Sequence, residues 1–122
     1  MGGHQHILIV DDDAGIRDTI AEILGLEGFG VSLAREGLEG LLRIQERRPD
    51  VIVLDRFMPG LDGLRFVERL RADPLTRDIP VVLMTGLAPD AGQFPLPVQA
   101  VLAKPFEVEE FLATLRRLAP RP

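Results

Sequence analysis

Residues 51–63 read VIVLDRFMPGLDG. The four aliphatic residues Val51–Leu54 stand together without alternating polar residues, which is the pattern of a short strand buried on both faces of a sheet. The run ends directly on Asp55, and a stretch with one proline and two glycines follows, as is typical where a strand passes into a turn. The stretch therefore predicts a central strand that delivers a carboxylate at its carboxyl end.

Similar aliphatic runs occur at Ile7–Val10, Val81–Met84 and Val101–Ala103, and a weaker, more polar run at 31–34 is typical of an edge strand. Helical repeats lie between the runs: Ile16, Ile20, Ile23 and Leu24, with Gly28 as the stop; Leu38, Leu41 and Leu42, ending before Pro49; Leu64, Val67 and Leu70, ending near Pro74; and Val108, Phe111, Leu112 and Leu115. Strands that alternate with helices predict an α/β fold, a doubly wound five-stranded parallel sheet with helices on both faces.

The segment between the fourth and fifth strands departs from this pattern. Residues 86–97 contain three prolines and two glycines. Proline lacks the amide donor and clashes with the preceding turn inside a helix. We therefore expect the fourth helix to be short or irregular, with at most one turn around Asp90–Phe94.

Length and composition exclude several classes of protein. The chain has 122 residues, which fits one domain, and no cysteine, which excludes disulfides and thiolate metal sites. Its 14 basic and 19 acidic residues give a net charge of −5, a poor balance for binding nucleic acid. No apolar run approaches the roughly 18 residues of a membrane helix. We expect a cytoplasmic domain that binds neither nucleic acid nor membrane.

The domain itself is expected to occupy residues 7–119. Residues 1–6 are interpreted as a disordered leader, and residues 120–122 as a tail or the start of a linker. His4 and His6 could suggest a metal site, but a disordered leader is the favoured interpretation.

Polar residues with chemical potential follow the predicted strands. Asp11 and Asp12 follow the first, Asp55 the third, Thr85 the fourth and Lys104 the fifth. In open α/β sheets the carboxyl ends of the strands form the edge where ligands bind, at a topological switch point. Five such residues at one edge predict a functional site.

The residue types at this edge indicate phosphoryl chemistry. Three converging carboxylates repel one another and take up protons unless a cation balances them. Their hard oxygens select magnesium, manganese or calcium. A lysine can neutralise a phosphate, a threonine hydroxyl can donate a hydrogen bond to it, and phosphoryl transfer needs mainly such positioning and charge neutralisation. A carboxylate can itself accept the phosphoryl group.

Four stretches together resemble the receiver (CheY-like) domain of response regulators in two-component signalling: ILIVDDD at 7–13, VLDRFMPGLDG at 53–63, MTG at 84–86 and AKPF at 103–106. The resemblance implies a flavodoxin-like strand order, 2-1-3-4-5. It implies a stoichiometric phosphoacceptor in a phosphorelay, not an enzyme, that assists its own phosphorylation and dephosphorylation. The implied phosphodonor is a histidine kinase or a histidine phosphotransfer protein, and the implied cofactor is Mg²⁺.

The resemblance also assigns the metal ligands. Asp12 corresponds to the direct ligand, and Asp11 to the acidic neighbour that acts mainly through metal-bound water. Asp55 corresponds to the phosphoacceptor and a second ligand. The backbone carbonyl of Phe57 corresponds to the third protein ligand.

Two further residues correspond to the family's phosphate-binding groups. Thr85 matches the hydroxyl that follows the phosphoryl group on activation, and Lys104 matches the phosphate-binding lysine. The Lys104–Pro105 peptide is expected to be cis. The position three before Lys104 is often Tyr or Phe in the family, and here it is Val101. A tyrosine-type readout is therefore absent.

Other departures concern output and lifetime. Phe57 and Leu87 are apolar where many relatives carry polar side chains, which predicts slower self-dephosphorylation. The eroded segment 86–97 lies where the family's usual dimer and output face includes a helix. We therefore expect a monomer, and the output partner is left open.

Three alternatives remain. The same fold could serve as a phosphorylation-independent pseudo-receiver, a docking module for other proteins. Asp11–Ala14 loosely fits the DxDx start of an aspartate-nucleophile phosphatase, but the chain is too short for the rest of such an enzyme. Asp11 and Asp12 could also be helix caps alone, although Asp13 is the better candidate for the N-cap of the first helix.

Overall fold

The computed structural model describes residues 5–55, 63–86 and 97–119. Its elements in chain order are β1 (His6–Val10), α1 (Ala14–Leu26), β2 (Gly30–Ala34), α2 (Gly37–Glu46), β3 (Val51–Asp55), α3 (Gly63–Ala72), β4 (Val81–Thr85), β5 (Ala100–Ala103) and α4 (Val108–Leu118). The strands form one parallel sheet in the order β2-β1-β3-β4-β5. This confirms the predicted fold class and strand order.

The apolar core lies in two layers, one on each face of the sheet. Successive strand residues point to opposite faces, so neighbouring residues of one strand join different layers. One layer packs under α2 and α3 and includes Leu8, Leu54, Leu83 and Phe66. The other packs under α1 and α4 and includes Ile9, Val53, Leu24 and Phe111. Strands β1, β3 and β4 are buried along their whole length, as their unbroken aliphatic runs predict.

Helix α1 begins and ends as its sequence predicts. The Asp13 carboxylate accepts a hydrogen bond from the backbone N–H of Ile16 at 3.1 Å, which confirms Asp13 as the N-cap. Gly28 lies just past the end of the helix with φ of 90°, a left-handed conformation that glycine adopts without a side-chain clash. The helix start thus directly follows the acidic residues of the β1–α1 connection.

Helix α2 packs only one of the three leucines that predicted it against the core, namely the partly buried Leu41. Leu38 and Leu42 are 51% and 58% exposed, whereas Gly37, Gly40 and Ile44 are buried. The glycines let the helix backbone approach the sheet closely. A Cβ at position 40 would lie 3.0 Å from the buried ring of Phe66. The face that α2 turns to the sheet therefore carries its glycines and Ile44, with Leu41 packing at its margin.

Ordered structure begins before the predicted boundary at Ile7. His6 is the first residue of β1, pairs with Gly30 and is only 7% exposed. Its Nε2 lies 2.6 Å from Ser32 Oγ. The interpretation of residues 1–6 as a leader is therefore wrong for His6, which belongs to β1, and residues 1–4 lie outside the described residues.

Arg71 of α3 holds the amino end of the edge strand β5. Its guanidinium donates two hydrogen bonds to the carbonyl of Pro97, at 3.2 and 3.1 Å, and one to Ile79 O at 2.9 Å. It also donates to Gln99 Oε1 at 3.2 Å, and the same oxygen accepts from the N–H of Val81 at 2.7 Å. The contacts join α3, β4 and the chain entering β5.

The predicted irregular segment at 86–97 lies outside the described residues except for its ends, Gly86 and Pro97. Within the part of the chain that the structure describes, no helix is both long and apolar enough to cross a membrane.

Candidate phosphoryl and metal site

The acidic residues lie at the switch point of the sheet. β1 and β3 are neighbours there, and from them the chain proceeds towards opposite edges. The register pairs Val10 with Leu54, so Asp11 and Asp55, the next residues, come level at the carboxyl edge. Asp12 follows in the β1–α1 connection. The sheet therefore brings together three carboxylates, one of which is far from the other two in the sequence.

These carboxylates form a compact cluster. One carboxylate oxygen from each of Asp11, Asp12 and Asp55 lies within 4.8 Å of the other two. Asp11 is fully buried, Asp55 nearly so, and Asp12 is exposed. Burial raises the pKa of the Asp11 carboxyl above its ordinary value, and the charges of Asp55 and Asp12 act in the same direction. A hydrogen bond from the Asp13 N–H and the charge of Lys104 act against the rise.

One oxygen of Asp11 is available to a cation. Asp11 Oδ1 accepts a hydrogen bond from the Asp13 N–H at 2.9 Å. Within the described residues, Asp11 Oδ2 is buried without a hydrogen-bond partner, and Lys104 Nζ lies 3.8 Å away. A buried carboxylate oxygen left in this way is costly unless a positive charge faces it. The donors are hard oxygens at an edge that water can reach through Asp12, so the site fits magnesium.

Lys104 and Thr85 complete the edge opposite the carboxylates. Lys104 Nζ lies 3.2 Å from Asp55 Oδ1, and its backbone N–H donates to Thr85 O at 2.8 Å. Thr85 ends β4 and is buried, one residue past the partner of Asp55 in the register. The Lys104–Pro105 peptide is cis, as expected. Thus Asp11, Asp12, Asp55, Thr85 and Lys104 meet at one edge.

Two sequence predictions fall on residues outside the described ranges. The carbonyl of Phe57, assigned as a metal ligand, and the shielding role of Phe57 and Leu87 both stay predictions. Val101, in the position of the absent aromatic residue, is partly buried and packs against the α2–α3 layer of the core.

Arg17 is a site neighbour that the sequence pattern did not single out. Its Nη1 donates a hydrogen bond to the backbone carbonyl of Asp11 at 2.8 Å. The spacing could have indicated this contact, because Arg17 lies four residues after the N-cap Asp13 and therefore one helical turn from the acidic β1–α1 connection.

The fold and the site together define a class of protein, namely doubly wound α/β domains with an acidic cluster and a lysine at the switch point. The model of the response regulator receiver domain matches residues 7–116. The chain belongs to this family.

Comparison with curated proteins places relatives among response regulators. The chain is 39% identical over 122 residues to the DNA-binding dual master transcriptional regulator RpaA of a Synechocystis strain, covering 94% of this chain and 49% of that protein. It is 39% identical to the response regulator MprA of Mycobacterium sp. strain KMS, covering 94% of this chain and 50% of MprA. The chain therefore spans about half the length of these relatives.

Solved structures match over nearly their full length. The chemotaxis protein CheY4 of Vibrio cholerae superposes with a TM-score of 0.88 and 30% identity, covering 95% of this chain and 99% of CheY4. The receiver domain of the sensor histidine kinase PA1611 of Pseudomonas aeruginosa PAO1 has a TM-score of 0.86 and 28% identity, covering 95% of this chain and 98% of that domain. That structure has a magnesium ion coordinated in its active-site cleft.

Proposed function

We propose that this domain accepts a phosphoryl group on Asp55 from a phosphohistidine of a histidine kinase or phosphotransfer protein. The observation that carries the proposal is the placement of Asp55 between the acidic pair and Lys104. Its carboxylate lies in the cluster with Asp11 and Asp12, and its Oδ1 is 3.2 Å from the Lys104 ammonium. Lys104 Nζ lies closer to Asp55 than to Asp11, whose Oδ2 is 3.8 Å away, so Asp55 combines the cation site with the nearer fixed positive charge.

The transfer is a substitution at phosphorus. An oxygen of the Asp55 carboxylate attacks the phosphorus of the phosphohistidine, the new P–O bond forms as the P–N bond breaks, and the released imidazole takes up a proton. Lys104 neutralises the oxygens of the arriving phosphoryl group, and the Thr85 hydroxyl donates a hydrogen bond to it. Such positioning and charge neutralisation supply most of the catalysis in phosphoryl transfer.

Magnesium is the proposed cofactor. Asp12 and Asp55 would hold it directly, with the carbonyl of Phe57, and Asp11 would act mainly through metal-bound water. When bound, the ion neutralises charge on the phosphoryl oxygens during transfer. The hard-oxygen donors, the spare Asp11 Oδ2 and the magnesium ion reported in the PA1611 receiver domain support this assignment.

In this role the domain is a signalling component. It is phosphorylated once per cycle and assists both its own phosphorylation and the later hydrolysis of the aspartyl phosphate. The relatives that extend beyond the matched region include a DNA-binding regulator, but an output partner for this chain does not follow from that. Nucleic-acid binding is not proposed for this domain.

Labelling with acetyl phosphate tests the proposal. In the presence of Mg²⁺, wild-type protein should gain the mass of one phosphoryl group, and chelation should abolish the gain. Asp55→Asn should not be labelled, because it keeps the shape of the side chain but loses the nucleophile. Asp18→Asn, on the exposed face of α1, is the matched control and should be labelled like wild type.

Two outcomes would contradict the proposal. Labelling that survives in Asp55→Asn would move the acceptor to another residue. A wild-type protein that acetyl phosphate and a cognate phosphodonor both leave unlabelled would favour the pseudo-receiver alternative.

A further inference from the structure

We propose that Arg17 is a positioning residue for the cation site, because it fixes the peptide that links Asp11 to Asp12. This inference rests on the proposed magnesium-dependent function and adds a residue to it. The contact is the hydrogen bond from Arg17 Nη1 to the Asp11 carbonyl at 2.8 Å. That carbonyl belongs to the planar peptide between the two acidic residues, so its direction constrains the backbone on both sides.

The surroundings of Asp11 explain why this one contact matters. The Asp11 N–H donates to Ala34 O at 3.1 Å, and Asp11 Oδ1 accepts from the Asp13 N–H at 2.9 Å. With the Arg17 contact, backbone and side chain are held at three points. The one Asp11 oxygen left without a hydrogen-bond partner within the described residues is Oδ2, which is buried and lies 3.8 Å from Lys104 Nζ. The arrangement therefore presents one chosen oxygen of Asp11 to a cation.

The positioning contact must act against the mutual repulsion of the three carboxylates of the cluster. Before a cation binds, Asp11, Asp12 and Asp55 have carboxylate oxygens within 4.8 Å of one another. Like charges at this distance favour turning the exposed Asp12 away from the cluster. An anchored peptide fixes the backbone from which the Asp12 side chain projects, so less backbone order has to be gained when the cation binds. Groups that orient metal ligands in this way typically change metal affinity by about 10–100-fold.

The positive charge of Arg17 changes Mg²⁺ affinity in the direction opposite to its positioning contact. The sign of the change in affinity when Arg17 is replaced therefore distinguishes the two effects. Arg17 forms no salt bridge with a carboxylate of the described residues. A cation beside the site repels Mg²⁺, so loss of the charge alone should strengthen Mg²⁺ binding, most strongly at low salt. Loss of the positioning contact should weaken it at every salt concentration.

The experiment measures Mg²⁺ affinity of the unphosphorylated protein by isothermal titration calorimetry at low and high ionic strength. Arg17→Met removes the hydrogen bond and the charge, and we expect about 10-fold weaker binding at high salt and a smaller loss at low salt, where removal of the charge partly offsets it. Arg17→Lys keeps the charge and one donor nitrogen on a shorter side chain, and should recover part of the loss. Arg117→Met, on the exposed face of α4, removes the same charge elsewhere and should bind Mg²⁺ like wild type.

A second readout does not depend on the metal. Hydrogen exchange of the Asp13 amide, which donates to Asp11 Oδ1, should be faster in Arg17→Met than in wild type or Arg117→Met. Unchanged or tighter Mg²⁺ binding in Arg17→Met would overturn the positioning role. Failure of the wild-type protein itself to bind Mg²⁺ would instead contradict the proposed function, so the two failures are distinguishable.

Discussion

At the scale of the residue, Asp11 and His6 are two buried polar side chains whose roles depend on the groups around them. Asp11 lies fully buried at the carboxyl edge of the sheet, and His6 lies 7% exposed at the opposite end of β1. The first contributes to a site, and the second is part of the core. The difference follows from their neighbours, since Asp11 faces two carboxylates and a lysine, whereas His6 contacts a serine hydroxyl.

His6 should make stability depend on pH. Burial lowers its pKa below 6.5, the Arg47 charge adds to this, and Asp50 opposes it. The unfolded chain therefore binds a proton on His6 more readily than the folded chain does. The contribution of neutral His6 to the free energy of unfolding is complete above pH 6.5 and is lost as the pH falls through the lowered pKa. His6→Gln keeps a polar group near Ser32 but does not titrate.

Urea unfolding followed by circular dichroism, from pH 7.5 downwards, measures the effect. The stability of wild type should fall more steeply than that of His6→Gln as pH decreases below 6.5. The two proteins share every other titratable residue, so parallel curves would mean that His6 carries no such dependence.

At the scale of the element, two glycines of helices should respond to alanine in opposite ways. A Cβ added at Gly25 of α1 would meet open space, whereas a Cβ at Gly40 of α2 would lie 3.0 Å from Phe66 Cε1 and 3.2 Å from Val10 Cγ2. Alanine raises helix propensity at both, by about 0.5–1 kcal/mol. At Gly40 the crowding against a fully buried ring should exceed that gain, since overpacking costs about 1–3 kcal/mol.

We therefore expect Gly25→Ala to raise the free energy of unfolding by about 0.5 kcal/mol, and Gly40→Ala to lower it by about 1 kcal/mol. Urea denaturation of the pair against wild type measures both. A stabilised Gly40→Ala would show that α2 can move away from the sheet, and that its close approach is not constrained.

The Arg71 contacts belong to the same scale, because they join three elements. Its five hydrogen bonds include those to the carbonyls of Arg77 and Ile79, both at 2.9 Å. Arg71→Met leaves these acceptors without their charged donor and should lower stability by about 2 kcal/mol. Amides entering β5, that of Gln99 first, should then exchange faster.

Arg69→Met is the matched control, since Arg69 is an exposed arginine of the same helix. It should change stability by less than about 0.5 kcal/mol. Equal effects of the two substitutions would mean that charge or helix propensity, and not the Arg71 contacts, determines the result.

At the scale of the whole molecule, we expect the proposed metal site to link Mg²⁺ binding to global stability. A ligand that binds only the folded state stabilises it, by about 1.4 kcal/mol at ten times its dissociation constant. Mg²⁺ should therefore raise the unfolding midpoint of wild type. Asp12→Ala should remove this response together with phosphorylation, and without metal it should be at least as stable as wild type, because one repulsive charge is gone.

Thermal unfolding with and without Mg²⁺ checks this prediction, and Asp18→Ala serves as the control that keeps the response. A midpoint of Asp12→Ala that still rises with Mg²⁺ would remove Asp12 from the ligand set.

Features that depend on residues close together in the sequence could be predicted, whereas features that depend on contacts between distant residues could not. Strands and helices follow from runs and repeats of neighbouring residues, and the N-cap role of Asp13 depends on a contact three residues away. The five site residues could be predicted together because parallel strands bring their carboxyl ends to one edge. That inference needed no knowledge of individual contacts.

Long-range packing decided the rest. The close approach of α2 depends on Gly40 meeting Phe66, the start of β1 at His6 on its pairing with Gly30, and the anchoring of β5 on Arg71 reaching Gln99. The sequence by itself determined the fold class and which residues gather at the switch point. Only the tertiary structure decided which oxygen of Asp11 lacks a hydrogen-bond partner within the described residues and that Arg17 donates to the Asp11 carbonyl, because hydrogen-bond partners are selected by distances and angles that exist only once the elements have packed.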